Sequence, residues 1–332
     1  MRILIIKTSS MGDIIHCLPI IADIRMHFPN AVIDWVVEEG FVDILRLHPH
    51  INSIIAVAIR RWRKHLFNRK TWHEIAGFKK LLSLHTYEVI LDTQSLVKSA
   101  MLTTLAKGKR HGQNFNSARE AVAAIFYNQR HFVPRNQHAV AMYRQLAAHA
   151  LGYALPHTLP DYGLPTAHIA SIMSSAFSES IKLPVHYVMA LHATSRDSKL
   201  WPVAYWVALG NALNQQSLSL VLPWASESEL ARAEAISCHV PSAVVLPKLN
   251  LAQLAPVIAG AKAAIGVDTG LVHLAVALKI PTIAIYTDTY PKLNGAYAGL
   301  GSIAINLGQK GVITTSSEVL AAFLTFNING QV

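Results

Sequence analysis

An acidic residue follows the first predicted strand of the sequence. Asp13 ends the segment KTSSMGD, residues 7–13, which leads into a predicted helix. Aspartate is favoured at the start of a helix, so Asp13 can be an N-cap. A carboxylate in a cleft can instead act as a general base, with Lys7 close by to hold an anion. The residues leave both alternatives open. The segment lacks the glycine pattern of dinucleotide sites and the Lys-Ser/Thr ending of a P-loop.

A second turn whose residues could bind a ligand lies between a predicted strand and a predicted helix in the second half of the chain. It consists of Asp268, Thr269 and Gly270. A helix N-terminus offers free N–H groups and a positive dipole end to a diphosphate. Aspartic proteases also carry Asp-Thr-Gly, but they need two such turns in β-rich lobes. His273, on the helix that follows, is either a ligand or a packing residue.

Two further turns carry groups suited to a nucleotide. The segment HATSRDSKLWP, residues 192–202, places Thr194, Ser195 and Lys199 where phosphate oxygens can be bound, although a solvated loop is the alternative. Glu229 follows Leu-Pro-Trp at 222–224 and can accept hydrogen bonds from ribose hydroxyls. Taken alone, Glu229 also fits a surface position on a helix.

Positive charge is concentrated in the first half of the chain. The net charge is +10, and residues 1–165 hold 20 Lys and Arg against 11 Asp and Glu. The densest basic segment is RRWRKHLFNRK, residues 60–70. Such a segment is a solvated face, a nucleic-acid contact or a membrane contact. The uneven charge predicts an extended anionic partner: a membrane surface, nucleic acid or an acidic glycolipid.

Short β-branched runs alternate with helical patterns in both halves of the sequence, which predicts an α/β fold with parallel, doubly wound sheets. In the first half, strands are predicted at 3–6, 33–37, 54–57 and 89–91, with helices near 13–28 and 78–84. In the second half, strands are predicted at 187–191, 218–222, 243–246, 263–267 and 282–286, with helices near 204–214, 227–236, 251–259 and 271–278. Ser316 or Ser317 is predicted to cap a last helix that ends at Phe326.

A linker rich in proline, at 155–165, separates the two series. We therefore predict two Rossmann-like domains, 1–160 and 161–332. Ligands of open α/β sheets bind at the carboxyl ends of the strands, so the site is expected in a cleft lined by strand-to-helix turns.

Composition narrows the cellular setting. No uncharged apolar run reaches the roughly 18 residues that span a membrane, and the first apolar run is too short for a secretory signal. Cys17 and Cys238 are the only cysteines and lie far apart in the sequence. This usage fits a reducing compartment and argues against structural zinc. A cytoplasmic protein is expected.

Seven segments together resemble the lipopolysaccharide heptosyltransferases, and the resemblance covers nearly the whole chain. The segments are KTSSMGD at 7–13, DWVVEEGF at 34–41, AIRRWRK at 58–64, LVKSA at 96–100, HATSRD at 192–197, LPW at 222–224 and VDTGL at 267–271. The two long N-terminal motifs, at 34–41 and 58–64, are those of the enzymes that add the first heptose.

The resemblance implies the GT-B architecture, in which two Rossmann-like domains face each other across a cleft. The first domain would bind the acceptor and the second the sugar nucleotide. The implied reaction is inverting transfer of L-glycero-D-manno-heptose from ADP-heptose to the Kdo region of Kdo-lipid A. Asp13 would be the catalytic base.

The implied donor-binding residues are Thr194, Ser195, Lys199, Glu229, Leu249, Asp268, Thr269, Gly270 and His273. The expected acceptor-binding residues are Lys7, Ser10, Arg60, Arg61, Arg63, Lys64, Lys98 and Arg119. We expect no obligatory metal, although Mg²⁺ can assist. We also expect peripheral contact with the anionic cytoplasmic face of the inner membrane, and no nucleic-acid partner.

Three positions depart from the family pattern. Ser195 stands where a second threonine is usual, and Leu249 replaces a methionine beside the adenine. The segment TDTYP at 287–291 replaces Gly-Pro-Thr-Asp-Pro, so the resemblance assigns no role to Asp288. Two alternatives stay open: a related glycosyltransferase with another sugar nucleotide or acceptor, and a non-catalytic RNA-binding protein.

Overall fold

The computed structural model describes residues 1–165, 169 and 182–326, and the chain forms two compact units. The first unit is Met1–Gly163 and the second is Leu164–Val332. This division lies close to the boundary predicted after residue 160. In the described ranges, no helix combines the length and the apolar character needed to cross a membrane.

The first unit is built on a six-stranded parallel sheet in the order β3-β2-β1-β4-β5-β6. Its strands are β1 Arg2–Ile6, β2 Val32–Glu38, β3 Ser53–Val57, β4 Thr86–Asp92, β5 Lys107–Gln113 and β6 Gln129–His131. Its helices are α1 Met11–Cys17, α2 Pro19–His27, α3 Val42–Arg46, α4 Ile59–Trp62, α5 Arg69–Ser83, α6 Val97–Thr103 and α7 Ala139–Leu151.

The second unit repeats this plan, with a parallel sheet in the order β12-β11-β10-β7-β8-β9. Its strands are β7 Tyr187–Leu191, β8 Ser219–Leu222, β9 Val244–Val245, β10 Ala263–Val267, β11 Thr282–Tyr286 and β12 Ala304–Gly308. Its described helices are α8 Val203–Asn214, α9 Glu227–Ser237, α10 Leu251–Ala259, α11 Gly270–Ala277, α12 Pro291–Asn294 and α13 Ser316–Leu324.

Both sheets have the Rossmann strand order, because each unit's first strand lies between its second and fourth. The central strands are apolar on both faces: Ile3 to Ile6 are fully buried, as are Val188 to Ala190. Helices cover both faces of such a sheet, so its strands read as continuous apolar runs. The predicted α/β fold with two doubly wound domains is confirmed.

Three predicted helix boundaries were wrong. α5 begins at Arg69 and not near residue 78, where the helix was predicted to start. The helix predicted over 13–28 is two helices, since Pro19 has no N–H to continue α1 and instead occupies the first turn of α2. The last helix is capped by Thr315 rather than by Ser316 or Ser317. The Thr315 side chain accepts from the backbone N–H of Glu318, and the Glu318 carboxylate accepts from the Thr315 N–H.

A buried ion pair joins α7 to α2. The guanidinium of Arg144 donates to both carboxylate oxygens of Asp23, at 2.7 and 3.0 Å, and both side chains are nearly inaccessible to solvent. Arg144 also donates to the carbonyl of Thr158 at 2.9 Å. This pairing fixes α7, which carries Tyr143, against the first helices of the unit.

Arg144→Met is expected to lower the free energy of unfolding by about 3–5 kcal/mol, because it leaves the Asp23 carboxylate buried without a partner. Urea unfolding measures the loss. The matched control is the double variant Asp23→Leu with Arg144→Met, which removes both charges and should recover much of the stability. Equal losses in the single and double variants would contradict this account.

Candidate functional site

Asp13 lies in the first turn of α1, three residues after the N-cap. The N-cap is Ser10, so the alternative that Asp13 itself is the cap was wrong. One carboxylate oxygen, Oδ2, accepts from the Ser10 backbone N–H at 3.2 Å and from its hydroxyl at 2.9 Å. Ser10 thus orients Asp13, and its predicted contact with an acceptor stays a prediction.

The other carboxylate oxygen of Asp13 faces Tyr143 on α7. The Tyr143 hydroxyl donates to Asp13 Oδ1 at 3.2 Å and accepts from the Lys7 ammonium at 2.7 Å. Lys7 also lies 3.5 Å from the Thr93 carbonyl, and its ammonium is 4.2 Å from the centre of the Tyr143 ring. Only 3% of Lys7 is exposed. Its ammonium contacts Thr93 and Tyr143 inside the unit, and its contact with an acceptor stays a prediction.

These contacts decide the charge of Asp13. Burial raises the pKa of the Asp13 carboxyl, but the Lys7 ammonium and the hydrogen bonds from Ser10 and Tyr143 outweigh it, and the pKa falls below its ordinary value. Burial lowers the pKa of Lys7, and Asp13 opposes that shift. Asp13 is therefore a carboxylate at neutral pH, the state in which it can accept a proton.

An open pocket of about 430 Å³ adjoins Asp13 in the first unit. It is lined by Ser9, Ser10, Asp13, Gln94, Leu96, Lys98, Arg119 and Glu120. The structure thus brings the predicted residues Lys98 and Arg119 together with Asp13. The two cations make part of the pocket wall suitable for an anionic ligand. Gln94 and Glu120 were not predicted.

The part of the pocket wall that follows β4 is organised by Asp92, the last residue of that strand. Its buried carboxylate accepts from the backbone N–H groups of Gln94 and Ser95 and from the hydroxyls of Ser99 and Tyr127, at 2.8 to 3.1 Å. The Gln94 side chain in turn accepts from the N–H and hydroxyl of Thr8, at 2.8 and 2.7 Å. The turns after β1 and β4, which are adjacent strands, are therefore tied together. A polar run directly after the apolar 89–91 segment was the available sequence signal.

The four predicted acceptor residues at 60–64 lie elsewhere in this unit. Among the described residues, none of Arg60, Arg61, Arg63 and Lys64 lines the pocket beside Asp13. Arg61 is held by Glu39 and Glu74, at 2.9 and 2.8 Å, and Arg60 lies over the Phe41 ring. Arg63 and Lys64 are exposed in the turn after α4.

In the second unit, hydrogen bonds to Asp268 connect the segments that follow strands β7, β10 and β11. Its carboxylate accepts from the Lys199 ammonium at 2.6 Å and from the Thr289 hydroxyl at 2.7 Å. Its backbone carbonyl accepts from the Thr194 hydroxyl at 2.8 Å. The predicted residues Thr194, Lys199 and Asp268 are thus brought together, because β7 and β10 are neighbours whose carboxyl ends share one edge of the sheet.

The divergent loop at 287–291 takes part in the same network. The Ser198 hydroxyl donates to the Asp288 carboxylate at 2.7 Å, and the Thr287 hydroxyl donates to the Ser198 carbonyl at 2.9 Å. The hydrogen bond from Ser198 and the nearby cations lower the pKa of Asp288. Asp288 therefore has a structural partner here, and Thr289, which was not predicted, reaches Asp268.

The remaining predicted donor residues have varied surroundings. Thr269 is the N-cap of α11, Gly270 is its first residue, and His273 is buried on the same helix. Ser195 is exposed and Leu249 half-buried. Glu229 accepts from the backbone N–H of Ala225 at 2.7 Å, a contact that closes the start of α9. The predicted ligand contacts of these residues stay predictions.

Tyr143→Phe is expected to raise the pKa of Asp13, because a hydrogen bond to the charged form is lost. Since the folded-state pKa of Asp13 is depressed, its carboxylate stabilises the fold at neutral pH, and this contribution is lost as the pH falls through that pKa. The variant should lose the contribution at a higher pH than the parent. Carboxyl carbon-13 titration by NMR measures the pKa directly.

Tyr153→Phe is the matched control, because the Tyr153 ring stacks on His27 and its buried hydroxyl has no hydrogen-bond partner among the described residues. It should leave the Asp13 titration unchanged. An Asp13 pKa that does not respond to Tyr143→Phe would show that Tyr143 has no part in setting it.

Comparisons with known proteins identify the family. The family model for glycosyltransferase family 9 (heptosyltransferase) matches residues 75–312. The chain is 40% identical to lipopolysaccharide heptosyltransferase 1 of Escherichia coli, over 96% of this chain and 98% of that protein. It is 42% identical to lipopolysaccharide heptosyltransferase 1 of Pseudomonas aeruginosa, over 93% of this chain and 84% of that protein.

Solved structures of heptosyltransferases are also similar to this chain. E. coli heptosyltransferase WaaC with ADP has a TM-score of 0.89 at 39% identity, covering 98% of this chain and all of the other. The WaaC structure with ADP-2-deoxy-2-fluoro heptose has a TM-score of 0.86 at 38% identity, with the same coverage. E. coli heptosyltransferase II, at 19% identity and a TM-score of 0.76, shows the shared fold alone. The resemblance in the sequence motifs is confirmed, and the chain belongs to glycosyltransferase family 9, the heptosyltransferase family.

Proposed function

We propose that this glycosyltransferase moves L-glycero-D-manno-heptose from ADP-heptose to the Kdo region of Kdo-lipid A in lipopolysaccharide inner-core synthesis. The observation that carries the proposal is the Asp13 carboxylate, held ionised by Lys7 and Tyr143 beside an open pocket with two cations. The relatives named heptosyltransferase 1 and the WaaC structures with ADP and a heptose analogue support the choice of donor.

Asp13 acts as the general base in the proposed reaction. Its carboxylate takes the proton from an acceptor hydroxyl, and that oxygen forms a bond to the anomeric carbon of the heptose. The bond between this carbon and the diphosphate oxygen breaks, and ADP leaves with the bonding electrons. Attack opposite the leaving group inverts the anomeric centre. General-base catalysis of this kind contributes about 10²- to 10⁴-fold to a rate.

The leaving diphosphate needs positive charge and hydrogen-bond donors. Lys199 and the start of α11 at Thr269 and Gly270 supply these in the second unit, with Thr194 close to both. Because these groups are part of the protein, the proposal requires no obligatory metal, and Mg²⁺ can assist. The adenosine end is assigned to Glu229 and Leu249.

The acceptor is assigned to the first unit. Lys98 and Arg119 lie in the pocket beside Asp13 and suit the carboxylates of Kdo, whereas the exposed Arg60, Arg63 and Lys64 suit phosphates of lipid A. Because this acceptor is anchored in a bilayer, the proposal places the enzyme in peripheral contact with the anionic cytoplasmic face of the inner membrane. Neither partner is a nucleic acid.

Lys199→Ala is expected to weaken ADP-heptose binding by about 1.5–3 kcal/mol through loss of a charge-assisted contact. Calorimetric titration with ADP-heptose gives the change in Kd. Ser198→Ala is the matched control, because Ser198 lies in the same turn but bonds Asp288 rather than Asp268. An unchanged Kd for Lys199→Ala would remove Lys199 from the donor site.

Asp13→Asn is expected to lower kcat by about 10²- to 10⁴-fold, because an amide cannot take the acceptor proton. The amide oxygen can still accept the hydrogen bonds from Ser10, so the helix start should be preserved. Steady-state turnover gives kcat, and ADP affinity and Tm are the controls for an intact protein. A stably folded variant with near-normal kcat would contradict the general-base assignment.

A further inference from the structure

Three large apolar side chains project to solvent between α4 and the first turn of α5. They are Leu66, Phe67 and Trp72, and we call them the apolar tip. Phe67 is fully exposed, and about half of Leu66 and of Trp72 is accessible. Single exposed apolar residues are common on protein surfaces, but adjacent aromatic and aliphatic groups at the apex of one turn mark an interaction surface.

The turn that carries the apolar tip is held from both sides. Before the turn in the sequence, Trp62 is buried and donates its indole N–H to Glu74 at 2.8 Å. After Phe67, the Asn68 side chain caps α5 by accepting from the Lys70 backbone N–H at 2.9 Å. The indole N–H of Trp72 donates to the Leu66 carbonyl at 2.7 Å. These hydrogen bonds hold the backbone of the turn while its apolar side chains face water.

Cations flank the apolar tip in the sequence. Residues 60–70 contain no Asp or Glu and six cations: Arg60, Arg61, Arg63, Lys64, Arg69 and Lys70. Arg61 is engaged by Glu39 and Glu74, and the other five are exposed at the surface. An exposed apolar group flanked by exposed cations is complementary to a bilayer that has an apolar interior and anionic headgroups.

We propose that the apolar tip inserts into the headgroup and upper acyl region of an anionic bilayer, with the flanking cations on lipid phosphates. Phe67 and Leu66 enter deepest, and Trp72 lies at the interface, where an indole can bury its ring and keep its polar group hydrogen-bonded. Single-stranded nucleic acid would also pair cations with aromatic rings, but the aliphatic Leu66 offers a base no stacking surface. The proposal rests on the proposed function, because a membrane-anchored acceptor gives this contact its purpose.

The test uses the full chain and two kinds of acceptor-free vesicle. One contains phosphatidylglycerol mixed with phosphatidylcholine, and the other contains phosphatidylcholine alone. The parent should co-sediment with the anionic vesicles, less so at high salt, and much less with the neutral ones. Phe67→Asp should reduce partitioning by about tenfold or more, because it replaces the aromatic group proposed to enter the bilayer with a charge. Val185→Asp, which changes a highly exposed apolar residue in the second unit, should partition like the parent.

Trp72 fluorescence reports the depth of insertion. Anionic vesicles should shift its emission to the blue, brominated acyl chains should quench it, and Trp72→Phe should abolish both effects. Parent-like partitioning of Phe67→Asp, or a Trp72 emission that vesicles leave unchanged, would overturn the proposal. Tighter binding of single-stranded RNA than of anionic vesicles would also overturn it.

Turnover on a soluble acceptor separates this proposal from the proposed function. Phe67→Asp should match the parent on a deacylated Kdo-bearing disaccharide, because that acceptor needs no bilayer. Failure of the parent on this acceptor would count against the proposed function, whereas vesicle partitioning is measured without any acceptor.

Discussion

The buried ammonium of Lys7 is the constraint around which the first unit's site is arranged. An ammonium removed from water is costly unless groups of opposite polarity face it. Here they are the Tyr143 hydroxyl at hydrogen-bonding distance, the Thr93 carbonyl and, through Tyr143, the Asp13 carboxylate. The same arrangement keeps Asp13 ionised. The requirement to satisfy Lys7 and the requirement for a proton acceptor are therefore met by one set of contacts.

The polar groups of the candidate sites are positioned in the same way in both units. The central first strand ends beside the fourth, so two strand-to-helix turns meet at one edge of the sheet. In the first unit these turns are linked by Thr8 and Gln94, and in the second by Thr194 and Asp268. In both units, a side-chain hydrogen bond therefore ties together the two turns that carry the polar groups.

The sequence predicted those elements whose signal is local. β1, β7, β10 and β11 are uninterrupted apolar runs, as buried parallel strands should be. β5 was missed because its sequence, KGKRHGQ, is polar and its first residues are partly exposed. β12 and α7 were also missed, the first a short, half-buried edge strand and the second without a strong start signal in the sequence.

The residues of the candidate site also divide into those that a local sequence signal predicts and those that it does not. Asp13, Lys199 and Asp268 could be predicted because each follows a recognisable strand and matches a family motif. Tyr143 could not, since 130 residues separate it from Asp13 and nothing in its own helix indicates the partner. Thr289 lies in the segment that departs from the family motif, so the motif gave no guide to its hydrogen bond with Asp268.

The division of the chain after Gly163 has a consequence for protein engineering. Lys7, Asp13 and Tyr143 all precede that point, while Thr194, Lys199, Asp268 and Thr289 all follow it. A chimera of two family members joined at Gly163 and Leu164 inherits each hydrogen-bonded set from a single parent. A junction placed between α1 and α7 would instead set one parent's lysine against the other parent's residue at position 143. Recombination libraries built from this family should therefore keep the first 163 residues as one block.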